Sequence, residues 1–325
     1  MKKSDKILAI SLIILVILAG VIYYYWDKVD EGDSDGGGNQ VAVVNDFDEC
    51  MAAGYAIEES YPRQCQTPDG RTFVEDIGNE MEKSDLIRIS YPRPNTAVTS
   101  PIRITGEARG RWFFEASFPI KMYDADGKEI GSTIAAAKSD WMTEEFVPFE
   151  AVLDFTAPEG GKGTLVLQRD NPSELPENDD QLKVPIVFAS KASLQEVSLY
   201  YYDPEKDKDT SGNVQCSDKG LVPVKRDIPQ GGDVIKNTIE LLLQGIVTQS
   251  EKNSGITTEY PLQGLSLKTS DLNDGVLTLT FDDPNNKTVG GACRVGVLWA
   301  QINATAKQFP EVKEVKFSPD TLFQP

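Results

Sequence analysis

The chain has no histidine, so the side chain that most often serves as general base or metal ligand is missing from all 325 positions. Ser-His-Asp and Cys-His catalysis are excluded with it. The four cysteines, Cys50, Cys65, Cys216 and Cys293, contain no C-x-x-C pair, which makes a poor thiolate zinc site and a poor thiol redox pair. Acidic residues number 51 against 32 lysines and arginines. At that density carboxylate pairs arise by chance, so no glycosidase-like dyad stands out. S-x-x-K and G-x-S-x-G are absent, and neither Gly36-Gly37-Gly38 nor Gly290-Gly291 sits in a phosphate-binding pattern. The residue chemistry predicts a non-catalytic protein with no cofactor and no metal centre.

Two oxygen-rich loops, residues 170–180 and 203–213, hold the ligand types that hard cations use. Neither fits the D-x-[DN]-x-[DN]-G template, so solvated loops are expected. Trp112, Phe113 and Phe114 are consecutive, which gives both faces of a strand an aromatic, and Trp141 falls in a turn. An exposed shelf of Trp112 and Trp141 would stack on sugars or on a partner protein; core packing or sheet-edge cover is the favoured expectation. A formal charge of −19 argues against nucleic acid and anionic headgroups as partners.

Lys2, Lys3 and Lys6 precede an uncharged run over residues 7–26, and Asp27, Asp30, Glu31, Asp33 and Asp35 follow it. A helix of that length spans about 30 Å, the thickness of a bilayer's hydrocarbon core. The run closes on Tyr23, Tyr24, Tyr25 and Trp26, an aromatic belt rather than a small-x-small cleavage site. This predicts a single-pass membrane anchor (7–26), a cytoplasmic stub (1–6) and an extracytoplasmic remainder. Residues 27–45 read as an acidic flexible linker that holds the folded part off the membrane. In that compartment an even cysteine count suggests two disulfides. Of three pairings, sequence proximity and module boundaries favour Cys50–Cys65 and Cys216–Cys293, worth about 3 and about 4.5 kcal/mol in the chain-entropy model.

The elements that must position these residues change character along the chain. Residues 46–77 read as a small disulfide-stapled module, with Asp46 capping a short helix that places Phe47, Cys50 and Met51 on one side, and a strand near 71–74. A polar stretch, 78–84, reads as a linker. Over residues 85–190 apolar residues recur with period two: Phe114, Phe118, Ile120 and Met122; Val147, Phe149, Ala151 and Leu153; Leu182, Val184, Ile186 and Phe188. About seven such strands separated by turns argue for a two-sheet β-sandwich. Residues 193–325 are mixed: strands near 197–201, 265–267, 276–281 and 312–317, a helix opened by Asp233, and a second from about Cys293 to Phe309. This order suggests a compact α+β domain.

Two resemblances follow from these residues. IRISYPRPNTAVTSPIRITGEARGRWFFEASFPIKMYDADGKEI, with DWMTEEFVPFEAVLDF and GTLVLQRDNPSELPENDD, resembles the immunoglobulin-like domain of bacterial spore germination, the Gmad type. The tail, with its Cys216 loop, VPVKRDIP, the helix from Asp233, VGGACRVGVLWAQINATAKQFPEVKEVKFS and a closing Gln324-Pro325, resembles the GerMN-type sporulation and germination domain. The Cys50/Cys65 segment is similar to a small module found ahead of such domains in envelope proteins. The resemblance implies an extracytoplasmic bacterial envelope protein without a catalytic residue. Its expected role is to bind a partner protein or cell-wall polymer during envelope assembly, with self-association through 193–325. The alternative is a carbohydrate-binding, adhesin-like protein using Trp112 and Trp141.

Overall fold

The structure is a computed structural model that describes residues 43–324. The expected stub, anchor and most of the acidic linker lie outside the described residues, as does Pro325. No helix among the described residues is long and apolar enough to cross a membrane. The chain divides into two compact units, Met1–Glu75 and Asp76–Pro325.

In the first unit Asp46 accepts from the Glu49 amide and caps α1 (Phe47–Ala52). Strands β1 (Ala56–Glu58), β2 (Gln64–Gln66) and β3 (Thr72–Val74) form an antiparallel sheet in that order. Phe47 and Cys50 meet Val44 and Cys65, with Tyr55, Ile57 and Phe73 packed at the margin. So small a core cannot hold by burial alone, and the Cys50–Cys65 disulfide runs through it with both cysteines 0% exposed. Met51, expected beside Phe47 and Cys50, is exposed instead. The helix is only six residues long, and its buried residues are Phe47 and Cys50.

The stretch 78–84, polar enough to read as a linker, is docked. It contains the short helix α2 (Glu80–Lys83). The Asn79 side chain donates to the Gln181 carbonyl and accepts from the Lys183 amide. Gly78 has φ +66, and a Cβ there would lie 2.0 Å from the Lys183 oxygen. These contacts join a polar side chain and a glycine to backbone, which leaves no apolar pattern to read.

Next come β4 (Ile87–Tyr91), β5 (Ala97–Val98), β6 (Ile102–Arg109), β7 (Ser117–Asp124), β8 (Glu129–Ala137), β9 (Phe146–Leu153), β10 (Gly161–Gln168) and β11 (Gln181–Phe188). The alternation predicts two separate sheets. The structure joins them into one eight-stranded ladder, order β4-β6-β9-β8-β7-β10-β11-β5. The join is β8: it pairs with β7 along its length, and its last residues, Ala136 and Ala137, reach Glu150 and Phe149 of β9. One core fills the ladder, taking Ile87, Ile104 and Phe149 from one layer and Phe118, Leu165 and Val184 from the other. Phe118 stands edge-on to Phe113 and Phe149 at 5.2 and 4.9 Å between ring centres. Phe114, expected in phase with Phe118, is exposed. Glu115 and Ala116 have φ +48 and +60, so a turn rather than a strand precedes Ser117 and the phase is lost.

In the C-terminal part β12 (Leu194–Tyr202) pairs antiparallel with β13 (Leu221–Pro229). Helix α3 (Val234–Leu243) is capped by the Asp233 carboxylate on the Lys236 amide. It stops at Gly245, whose φ is +62 and whose Cβ position would lie 1.9 Å from the Tyr260 oxygen. Helix α4 (Gln249–Asn253) carries a Thr248/Glu251 capping box. Strands β14 (Ser266–Asn273), β15 (Val276–Asp282) and β16 (Glu314–Ser318) form a sheet in that order, with β15 and β16 parallel. Between them runs α5 (Ala292–Lys307). Its buried stripe, Val295, Leu298, Ile302 and Ala306, meets Leu199 and Tyr201 of β12, Ile239 and Leu242 of α3, and Leu277 and Leu279 of β15 in one core. The region is α+β, and β13 and α4 are additions to the elements expected from sequence. In β13 the apolar phase is interrupted by Arg226, which is buried and donates through both terminal nitrogens to Glu251 at 2.8 and 2.7 Å.

Candidate functional site

Sheet edges distinguish one surface of the C-terminal domain from another, because an unpaired edge offers backbone donors and acceptors to any chain that reaches it. The edge of β12 away from β13 is closed from within. Gln308 accepts from the Ser198 amide and donates to the Ser198 carbonyl, at 2.8 and 2.7 Å. Thr305, fully buried on α5, accepts from the Tyr200 amide at 3.0 Å. Two side chains at the end of α5 therefore stand in for a missing strand. Their signal in the sequence was polar residues placed beside the apolar stripe of a helix.

Strand β16 is different. Among the described residues it pairs on one side only, with β15. Val315 and Phe317 share a face with Leu277 and Leu279, and both are half-buried. A groove of about 520 Å³ runs there, between Ala292, Gly296 and Trp299 of α5 and the Val315–Phe317 stretch. Phe317 and Phe323 line it and pack with the buried Phe281, the three ring centres 4.9 to 6.1 Å apart. Trp299 stays 37% exposed on its wall. Gly296 opens the helix surface: a Cβ there meets nothing nearer than the Cys216 oxygen at 3.9 Å.

The opposite flank of the same helix carries the second disulfide, Cys216–Cys293. Beside it lies a mostly apolar groove of about 510 Å³ lined by Tyr202, Pro204, Val214, Val297 and Leu298. The loop leading to Cys216 is pinned separately by buried Asp207, which accepts from the Tyr202 hydroxyl and from the Ser217 amide and hydroxyl. Burial raises the Asp207 pKa, but the hydrogen bonds from Ser217 and Tyr202 outweigh it and hold the carboxyl below its ordinary range. Burial first, and Asp207 second, push the Tyr202 phenol well up, so it remains a donor.

The residues singled out in the sequence are scattered. Trp112 is 1% exposed inside the ladder's core and Trp141 is half-buried against that core, the core packing favoured over an aromatic shelf. Aromatic exposure is found at Phe114 and Trp299 instead. The oxygen-rich loops use their carboxylates on their own backbone: Asp203 accepts from Glu205, and Asp209 from Ser211 and Asn213. Asn171 bridges Leu175 and Asp179. No group of three or more Cys, Asp or Glu able to hold a metal comes together among the described residues.

Comparison with known proteins agrees with this architecture. Residues 86–174 match the Gmad2 model, described as an immunoglobulin-like domain of bacterial spore germination. Residues 198–320 match the Germane model, described as sporulation and spore germination. No curated protein matches the chain. Among solved structures, one described as a lipoprotein from Clostridium perfringens is similar at 18% identity, covering 39% of this chain and 75% of that one with a TM-score of 0.21, too low to argue from. The chain thus carries a Gmad2 immunoglobulin-like domain followed by a Germane domain.

Proposed function

We propose that this is a membrane-anchored, extracytoplasmic, non-catalytic envelope protein whose C-terminal domain associates with another protein chain, a second copy of itself included. The observation that carries the reading is the contrast between two edges of one domain. The β12 edge is closed by Gln308 and Thr305, whereas β16 has no second partner strand among the described residues and is bordered by an aromatic groove. A strand added to β16 gains main-chain hydrogen bonds, and an apolar side chain of the incoming chain fills the groove beside Trp299. The two disulfides fit an oxidising compartment outside the cytosol. Anchoring through residues 7–26 would raise the local concentration, so that modest contacts suffice for assembly in the plane of the membrane. The glycan-binding alternative loses its support with Trp112 buried.

In-cell crosslinking of the full-length protein tests the reading. Crosslinked oligomers that vanish on deletion of 193–325 are expected. The same species persisting in the deletion would remove this domain from the role.

A further inference from the structure

The two disulfides occupy opposite environments. Cys50 and Cys65 are 0% exposed and are themselves half of their module's buried core. Cys293 is exposed, Cys216 is half-buried, and neither belongs to the core of the C-terminal domain. A thiolate can reach the second pair and not the first without unfolding, and accessibility is a first condition for exchange. The structure also limits the consequence of reduction. The loop before Cys216 keeps its hold on Tyr202 and Ser217 through Asp207, and α5 keeps its apolar stripe in the core. Opening this bond therefore frees a short stretch at the groove and leaves the fold standing.

We infer that Cys216–Cys293 is a thiol-exchange site, reducible in the folded protein by an extracytoplasmic dithiol, while Cys50–Cys65 is a permanent structural bond. Cys293 is the second residue of α5, whose N-terminus has no side-chain cap and no acidic residue in its first turn. Negative charge is favoured there, so Cys293 is the better leaving group. The attacking thiolate bonds to the Cys216 sulfur, the Sγ–Sγ bond breaks, and its electron pair goes to Cys293. The second thiol of the reductant, deprotonated, then attacks its own sulfur in the mixed disulfide and releases Cys216. The reductant ends as a disulfide and the protein gains two electrons; the reductant's two protons end on the two cysteines or in solvent. The adjoining groove, with Tyr202, Pro204 and Val214, gives the apolar surface around a dithiol protein's reactive cysteine a place to rest.

Oxidised full-length protein in detergent, treated with dithiothreitol without denaturant and quenched by alkylation, tests this by peptide mapping. Cys216 and Cys293 should be alkylated at least about tenfold faster than Cys50 and Cys65, with the near-ultraviolet circular dichroism retained. Equal rates, or a Cys216–Cys293 bond that yields only with denaturant, would overturn the inference. The direction of attack has its own readout. A thioredoxin-fold protein with its resolving cysteine replaced by serine should be trapped on Cys216; trapping on Cys293 would refute the assigned leaving group.

Discussion

The eight-stranded ladder and the C-terminal domain are both built on β-sheet, yet they treat their edges differently. The ladder ends in β4, five residues long, and β5, two residues long. Its core buries Trp112, Phe118, Phe149 and Phe188, while Phe114 is exposed and Trp141 half-buried at its margin. The C-terminal domain closes one edge with helix side chains, leaves β16 open and keeps Trp299 partly in solvent. What separates the two is therefore the amount of unsatisfied backbone and apolar surface left over after folding. The ladder is a finished core, and the C-terminal domain retains capacity for contact.

The comparison can be broken at its strongest point first. Phe118→Ala removes a fully buried ring held edge-on between Phe113 and Phe149, and should cost about 3–5 kcal/mol in a urea melt. Oligomers formed through the C-terminal domain should survive this change under conditions where the domain stays folded. Their loss there would mean that the ladder, too, takes part in association. Arg226→Ala strikes the other half. It strands the Glu251 carboxylate, which sits in the capping box of α4, and should cost about 3 kcal/mol by the same measurement. A loss below about 1 kcal/mol would show that the ion pair is replaceable by water.

A smaller effect is read by pH. Asp207 and Glu251 both have carboxyls held below their ordinary range, by Ser217 and Tyr202 in one case and by Arg226 and Thr248 in the other, in each case against burial. With the folded pKa below the unfolded one, the unfolded chain takes up protons first as pH falls. The stabilisation is complete well above the unfolded carboxylate range of about 4 and is lost on descending through the folded values. Urea midpoints at pH 7, 4 and 3 should decline, and less steeply in Asp207→Asn. An unchanged slope in that variant would remove Asp207 from the account.

Much of the fold was legible because core residues repeat. The period-two runs at 147–153 and 182–188, and the threes and fours of Val295, Leu298, Ile302 and Ala306, mark the buried faces. Legibility failed wherever backbone or polar groups do the holding. Asn79 docks a stretch that reads as linker; Arg226 interrupts the phase of β13; Glu115 and Ala116 turn the chain and put Phe114 outside. The candidate site lay almost wholly in that second category. The cysteines could be paired from their spacing, but closure of β12 depends on where Thr305 and Gln308 point. The openness of β16 depends on what no strand covers. Neither is a property of a local pattern, and the aromatic that remains exposed, Trp299, sits in a helical stripe that looks like core.

Gly296 gives the most direct test of the C-terminal groove as an association surface. A Cβ there makes only an ordinary van der Waals contact, 3.9 Å from the Cys216 oxygen, so Gly296→Arg should fold normally and gain up to about 1 kcal/mol of helix stability while filling the groove beside Trp299. Crosslinking of the full-length variant in native membranes, beside the unchanged protein, is the measurement. Loss of the crosslinked oligomers at an unaltered or raised melting temperature is the predicted result, and oligomers of undiminished yield in a stably folded Gly296→Arg protein would contradict it.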